Sequence, residues 1–325
     1  MMSRIIRAPT ALALVAGVFT VQAGPYSITL MDLAGGTEFQ GWDVNNHGVF
    51  VGSATVGGAG VGYLVNAGVA TTLSGPAGAT NSASLGISNT GTVVGSFTTV
   101  AGGALDSGYI YIGGVYSIFN LPGAVATQLR GISPDGRYVT GYATMPTGFS
   151  SFVYDTAGPG SVTIIVNNSP FLTIAQGVTN AGVVVGNYRD GTGRHSFSYD
   201  SSTGTLTDFT IAGADMHARG INENGLIDGF FIDGTGQHSF VGSAPPFDVF
   251  DVLGGTDTTL EGINDDGWLA GYYTDAAGTQ HAFLAQQVIE PASVALVLAA
   301  FGALLARRRR APLTPARGQL LLQAA

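Results

Sequence analysis

GINENGLIDG at 220–229 and GINDDGWLAG at 262–271 are two copies of one ten-residue phrase. Four more stand upstream: DVNNHGVFVG at 43–52, GISNTGTVVG at 86–95, GISPDGRYVTG at 131–141 and GVTNAGVVVG at 177–186. Their central glycines, Gly48, Gly91, Gly136, Gly182, Gly225 and Gly267, are spaced by 43, 45, 46, 43 and 42 residues. Near-constant spacing of this kind is the mark of a repeat architecture. Each phrase holds a strand end, a polar turn closed by glycine, and an apolar strand that again ends in glycine. Asn and Asp tolerate left-handed backbone, and glycine takes positive φ without steric penalty. The phrase therefore predicts a β-hairpin with a bulge-type closure.

Outward from the phrase, each unit continues into a third strand marked by an aromatic: Tyr63, Tyr109, Phe152, Phe197, Phe240 and Phe283. A fourth strand of alternating apolar residues follows, as in LTDFTI at 206–211 and FDVFDVL at 247–253. Four strands in about 43 residues is the blade period of a β-propeller. The sixth unit has only three strands, and YSITLMDLAGG at 26–36 looks like its missing fourth when set beside FDVFDVLGG at 247–255. The expected fold is all-β: a six-bladed β-propeller of four-stranded blades over 24–288, its N-terminal strand closing the last blade. Closure removes the exposed sheet edges that favour aggregation. A β-solenoid is the rival architecture, although its repeats are usually shorter.

Composition fits short strands joined by tight turns. The 325 residues include 50 glycines, no cysteine and no lysine, and 10 % are charged, against about 25 % in ordinary soluble domains. Residues 24–288 hold 20 acidic side chains and five arginines, a balance of −15. A surface of that sign repels nucleic acid and anionic lipid. Without cysteine there is no disulfide framework, so packing and closure alone must hold the fold.

The two ends read as targeting signals. Arg4 and Arg7 precede an apolar run from Ala11 to Val21, and Val21-Gln22-Ala23 has the small-x-small form of a signal-peptidase site. Residues 1–23 are therefore expected to be a signal peptide cleaved after Ala23, with an uncleaved membrane anchor as the alternative. At the other end, Glu290-Pro291-Ala292-Ser293 leads into an apolar run from Val294 to Ala306 and then into Arg307, Arg308, Arg309 and Arg310. The apolar run is shorter than the roughly 20 residues of a comfortable membrane span. The arginines would stay on the cytoplasmic side. Hydrophobic helices are expected at both ends, with 311–325 a disordered tail.

This C-terminal tripartite order resembles the PEP-CTERM sorting signal of Gram-negative bacteria, over roughly the last tenth of the chain. Glu290 and Pro291 match the motif core, whereas Ile289 stands where the first proline belongs, and fifteen residues follow the arginines. The resemblance implies an exosortase-type protease as partner, transient passage through the inner membrane, and an exopolysaccharide or biofilm setting. The plain alternative is a C-terminal membrane anchor. The repeats themselves resemble the HAF family of extracellular repeats, named for a His-Ala-Phe triplet. His281-Ala282-Phe283 matches it, with His195-Ser196-Phe197 and His238-Ser239-Phe240 as near matches. That likeness implies location and repeat architecture rather than a chemistry.

Few side chains suggest chemistry. His195, His238 and His281 are equivalent residues in neighbouring units, separated by about a sheet spacing of ~10 Å. Zinc bonds near 2.0–2.1 Å make a shared site implausible, so packing beside the aromatic is expected. His217 reads as a lone loop residue. Glu223, Asp265 and Asp266, and the loop acids Asp190, Asp233 and Asp275, are explained by turn chemistry rather than by calcium, which needs a shaped loop. There is no G-x-S-x-G elbow and no H-E-x-x-H. No position breaks the repeat with an obviously catalytic substitution. The expectation is an exported, non-enzymatic surface or matrix protein without catalytic residues, cofactor or metal, with extracellular polysaccharide as the candidate ligand. Tyr272, Tyr273, Phe230 and Phe231 are candidates for stacking on sugars, with strand packing the favoured role. The alternative is a secreted polysaccharide hydrolase or lyase on the same scaffold.

Overall fold

A computed structural model describes residues 11–13, 22–23, 26–158, 161–165 and 172–288. It is a six-bladed β-propeller of four-stranded antiparallel blades. Blade 1 runs from its innermost strand Thr37–Val44 through Phe50–Val56 and Ala59–Asn66 to Val69–Leu73. Blades 2 to 5 repeat this order from the innermost strands Asn81–Ile87, Ala126–Ile132, Thr173–Val178 and Asp215–Ile221. Blade 6 contains Thr256–Ile263, Leu269–Thr274 and Gln280–Gln287, and Tyr26–Leu30 pairs antiparallel with the last of these.

The repeat glycines have two physical causes. The six turn glycines have φ between 72° and 82°, a region that side chains with a Cβ occupy only with strain. The glycine ending each phrase lies directly across from the third-strand aromatic, as in Gly95 opposite Tyr109 and Gly186 opposite Phe197. A Cβ there would meet both the aromatic ring and a carbonyl oxygen of the innermost strand. The six aromatics are fully buried, each contributing roughly 1.5–3 kcal/mol of apolar burial. They pack across blade boundaries: Phe50 and Tyr63 of blade 1 share a core with Ala270, Ala282 and Leu284 of blade 6.

A belt of hydrogen bonds joins the six turns. The backbone N–H of Asn46 donates to the Asn89 side chain, and that of Asn89 to the Pro134 carbonyl. Asp135 donates to Asn180, Asn180 to Glu223, Glu223 to Asp265, and Asp265 back to Asn46. Glu223 and Asp265 are therefore occupied as acceptors in this belt. Asn222, Asn264 and Asn45 add side-chain amide bonds to the next blade's carbonyl, at 2.9, 3.0 and 2.9 Å. These three lie in blades 5, 6 and 1, spanning the boundary where the first and last blades meet.

The triplet histidines tie loops to strands. His238 bonds Asp251 at 2.7 Å and His281 bonds Asp32 at 2.6 Å, while the other oxygen of each carboxylate accepts a backbone N–H at Ser239 or Ala282. His195 bonds Asp190, within its own hairpin. Burial disfavours the His281 imidazolium, but Asp32 and Asp275 outweigh it and hold its pKa above the ordinary value. Asp190, Asp233 and Asp275 each accept backbone N–H groups of their own loop.

Two expectations change, and the favoured packing role of three aromatics holds. Within the expected N-terminal helix, the described residues Ala11–Ala13 form a strand paired with Val69–Thr71, and Gln22–Ala23 pairs with Tyr26 and Ser27; residues 1–10 and 14–21 lie outside the described residues. The outer edge of blade 1 offers unpaired backbone groups, which an extended segment satisfies. His217 is not in a loop. It lies on the innermost strand of blade 5, paired with Phe230 and stacked on its ring at 4.2 Å. Phe230, Phe231 and Tyr273 are 7, 7 and 8 % exposed and serve packing. Glu290, Pro291, Arg307, Arg308, Arg309, Arg310 and the expected C-terminal helix lie outside the described residues, as does the tail 311–325.

Candidate functional site at the central channel

The innermost strands place one variable residue per blade around the axis. Each has a register irregularity at the same repeat position, so that Trp42, Leu85, Arg130, Gln176, Arg219 and Glu261 fall out of the ladder. A bulge of this type re-aims a side chain, and bulges are common beside functional sites. All six residues line the central channel, whose free volume is ≈ 50 Å³. Next in sequence come the glycines that open each phrase. They stack so closely that a Cβ on Gly177 would lie 3.0 Å from Gly220 Cα, and one on Gly220 would lie 3.0 Å from Gly262 Cα.

Blade 1 departs from this column. Asp43 stands where the other five blades have Gly86, Gly131, Gly177, Gly220 and Gly262. Its carboxylate accepts the backbone N–H groups of Val44 at 2.8 Å and Ile87 at 2.9 Å. Burial pushes its pKa up to about 7 against the opposing effect of those two bonds. A second departure is Asp228, where other blades have Val, Thr or Ala. It is fully buried and accepts the Gly220 N–H with one oxygen, while the other has no partner. Burial raises its pKa well above the usual carboxylate range, and the charges of Glu261 and Asp43 add to the rise. The repeat is thus broken by two carboxylates. Column-by-column alignment of the six phrases shows both; reading each phrase as a turn does not.

The bulged residues form a charged ring. Arg219 Nε lies 3.3 Å from Glu261 Oε2. Arg130 bonds Gln128 and sits over the rings of Trp42 and Tyr142, at 5.7 and 5.5 Å. Burial, opposed by Arg219 and Arg130, raises the Glu261 pKa. Burial and the neighbouring Glu261 push Tyr272 up to about 12. Burial, then Arg219 and Arg194, hold His217 down at about 2, so its imidazole is neutral at physiological pH. Several buried polar atoms here have no hydrogen-bond partner: Nε of Arg130 and Arg219, Nε2 of Gln176, Nδ2 of Asn187 and Oε1 of Glu261.

Where the innermost strands of blades 1 to 3 begin, at the end of the channel away from the turn belt, a cleft of ≈ 590 Å³ opens. Glu38, Gln40, Trp42, Asn81, Gln128 and Arg130 are among its lining. Its size falls in the range of small-molecule sites. The Trp42 ring is fixed by its Nε1–H bond to Ser53 Oγ at 2.8 Å. Among the described residues, no group of three or more His, Asp or Glu side chains converges as metal ligands would.

No family model matches the sequence, and no curated protein is similar to it in sequence. Solved structures are similar in fold. A gluconolactonase from Xanthomonas campestris has 11 % identity and a TM-score of 0.51, over 88 % of this chain and 99 % of that one. The Trypanosoma rangeli sialidase in complex with the inhibitor DANA has 10 % identity and a TM-score of 0.50, over 93 % and 66 %. TolB from Acinetobacter baumannii has 12 % identity and a TM-score of 0.49; this chain spans 70 % of its own length and 60 % of that protein. At these identities the likeness shows the propeller fold alone.

Proposed function

We propose that this protein is an exported, non-enzymatic propeller of the cell surface or extracellular matrix that binds polysaccharide at the channel mouth. Its N-terminal strand, Tyr26–Leu30, closes the ring. The observation that carries the binding reading is the cleft in which Trp42, with its ring held in place, stands among Gln40, Asn81, Gln128 and Arg130. An aromatic face beside amide and guanidinium donors suits a ring bearing many hydroxyls. In a calorimetric titration with hexasaccharides, Trp42→Ala is expected to weaken binding at least tenfold, the order of 1.4 kcal/mol. Unchanged affinity would remove the cleft from the account.

Export rests on residues 1–23 and 289–310. Loss of the tail near Glu290 only in a host with an exosortase supports sorting. A tail kept in the inner membrane in both hosts contradicts it. The second reading, a hydrolase or lyase, is favoured by one observation: Asp43 and Glu261 line the channel, and their charges act on the buried Asp228. New reducing ends or unsaturated products in the same titration would decide for it.

A further inference from the structure

The arginines of this acidic protein are concentrated in one place. Of the five in residues 24–288, Arg137 alone is elsewhere, on an exposed turn with Asp155 at 2.8 Å. Arg130, Arg189, Arg194 and Arg219 belong to blades 3, 4 and 5. Burial, then the charges of Arg219 and Arg189, lower the Arg194 pKa, so these like charges lie close together. The acids facing them include Glu261 and the buried Asp228 at Arg219, and Asp215, which accepts the Arg194 backbone N–H at 2.9 Å.

Between Arg130 of blade 3 and Arg219 of blade 5, blade 4 presents amide donors. Gln176, 6 % exposed, lines the channel with Nε2 unpartnered; Asn187, 1 % exposed, accepts Arg194 Nη1 at 3.1 Å and leaves Nδ2 unpartnered. With Arg130 Nε, and with Arg219 Nε, which meets Glu261 at 3.3 Å without hydrogen-bond geometry, these make an arc of buried donors lacking a hydrogen-bond partner. A buried donor without a partner is costly, and like charges held together are costly too; one bound anion relieves both. Arginine forks match carboxylates in a bidentate way. Beyond about 8–10 Å the acidic surface is screened at physiological salt, so the local arginines decide. The arc adjoins the Trp42 cleft through Arg130, which lines both.

We propose that the channel mouth at blades 3 to 5 binds the carboxylate of a uronate unit in an acidic polysaccharide. This rests on the polysaccharide-binding reading and names its ligand class. The test is titration with a galacturonic acid hexamer, its methyl ester, a glucose hexamer and inorganic phosphate, using wild type, Arg130→Gln and Arg219→Lys. The acid is expected to bind at least tenfold more tightly than its ester, with the advantage falling as salt rises. Arg130→Gln should bring the acid to the level of the ester, and Arg219→Lys should retain part of the preference. Equal binding of acid and ester overturns the uronate assignment and leaves the polysaccharide reading standing. Binding of none of the sugars overturns both. Phosphate competing as well as the hexamer shows a free-anion site and also overturns the assignment. Should Arg130→Gln fail to fold, the wild-type comparison of acid with ester still decides.

Discussion

Gly186→Ala is expected to destabilise the fold by about 3 kcal/mol, the upper end of ordinary overpacking. In a domain of this size that lowers the melting temperature by on the order of 10 °C. The added methyl would lie 2.2 Å from the Ile174 carbonyl oxygen and 2.8 Å from the Phe197 ring. A ring can shift, but a backbone oxygen on the innermost strand cannot move without displacing the bulge beside Gln176. Gly191→Ala, in the same blade with nothing within 4 Å, is the control and should change stability by less than about 0.5 kcal/mol. Thermal denaturation of the two variants checks the pair. Equal melting temperatures would contradict the account of the repeat glycine.

Asp228→Asn is expected to stabilise the protein at pH 8 by about 2 kcal/mol and to change little near pH 4. The asparagine keeps an acceptor for the Gly220 N–H and replaces the unpartnered oxygen with a donor. It also removes a charge that Glu261 and Asp43 repel. The magnitude is that of removing a buried, poorly compensated charge, which costs at least as much as a buried unsatisfied polar group. The sign follows from linkage: a carboxyl whose folded pKa is raised binds a proton that the unfolded chain has already released. Wild-type stability therefore falls as pH rises from the ordinary carboxylate value of 3.8 through the folded pKa. The variant lacks that part of the slope. Urea unfolding at pH 4 and pH 8 measures it, and a variant less stable than wild type at pH 8 would show that the charged form is held by a partner.

Most of the propeller is legible in the sequence because each repeat feature has one local cause. Turn glycines need positive φ, phrase-ending glycines face a ring, and third-strand aromatics fill each blade boundary. The site is less legible. Trp42, Arg130, Gln176, Arg219 and Glu261 follow no common residue type beyond the two arginines, and only the bulge places them on one ring. His217 looks like a loop residue until its pairing with Phe230 shows it on an innermost strand. Asp43 was open to discovery, since it is the single non-glycine in its column, but the neighbouring Asn45 and Asn46 make the segment read as a turn alone. The Asn264–Asn45 link at the ring boundary is equally hidden, because its partner lies 219 residues away in sequence.

Hydrogen–deuterium exchange with and without a uronate hexasaccharide tests the binding claim most directly, because it locates the ligand. Protection is expected in the innermost strands Thr37–Val44, Ala126–Ile132, Thr173–Val178 and Asp215–Ile221, with the outermost strands unchanged. Protection confined to the outer strands, or none at saturating ligand, would contradict a binding site at the channel mouth.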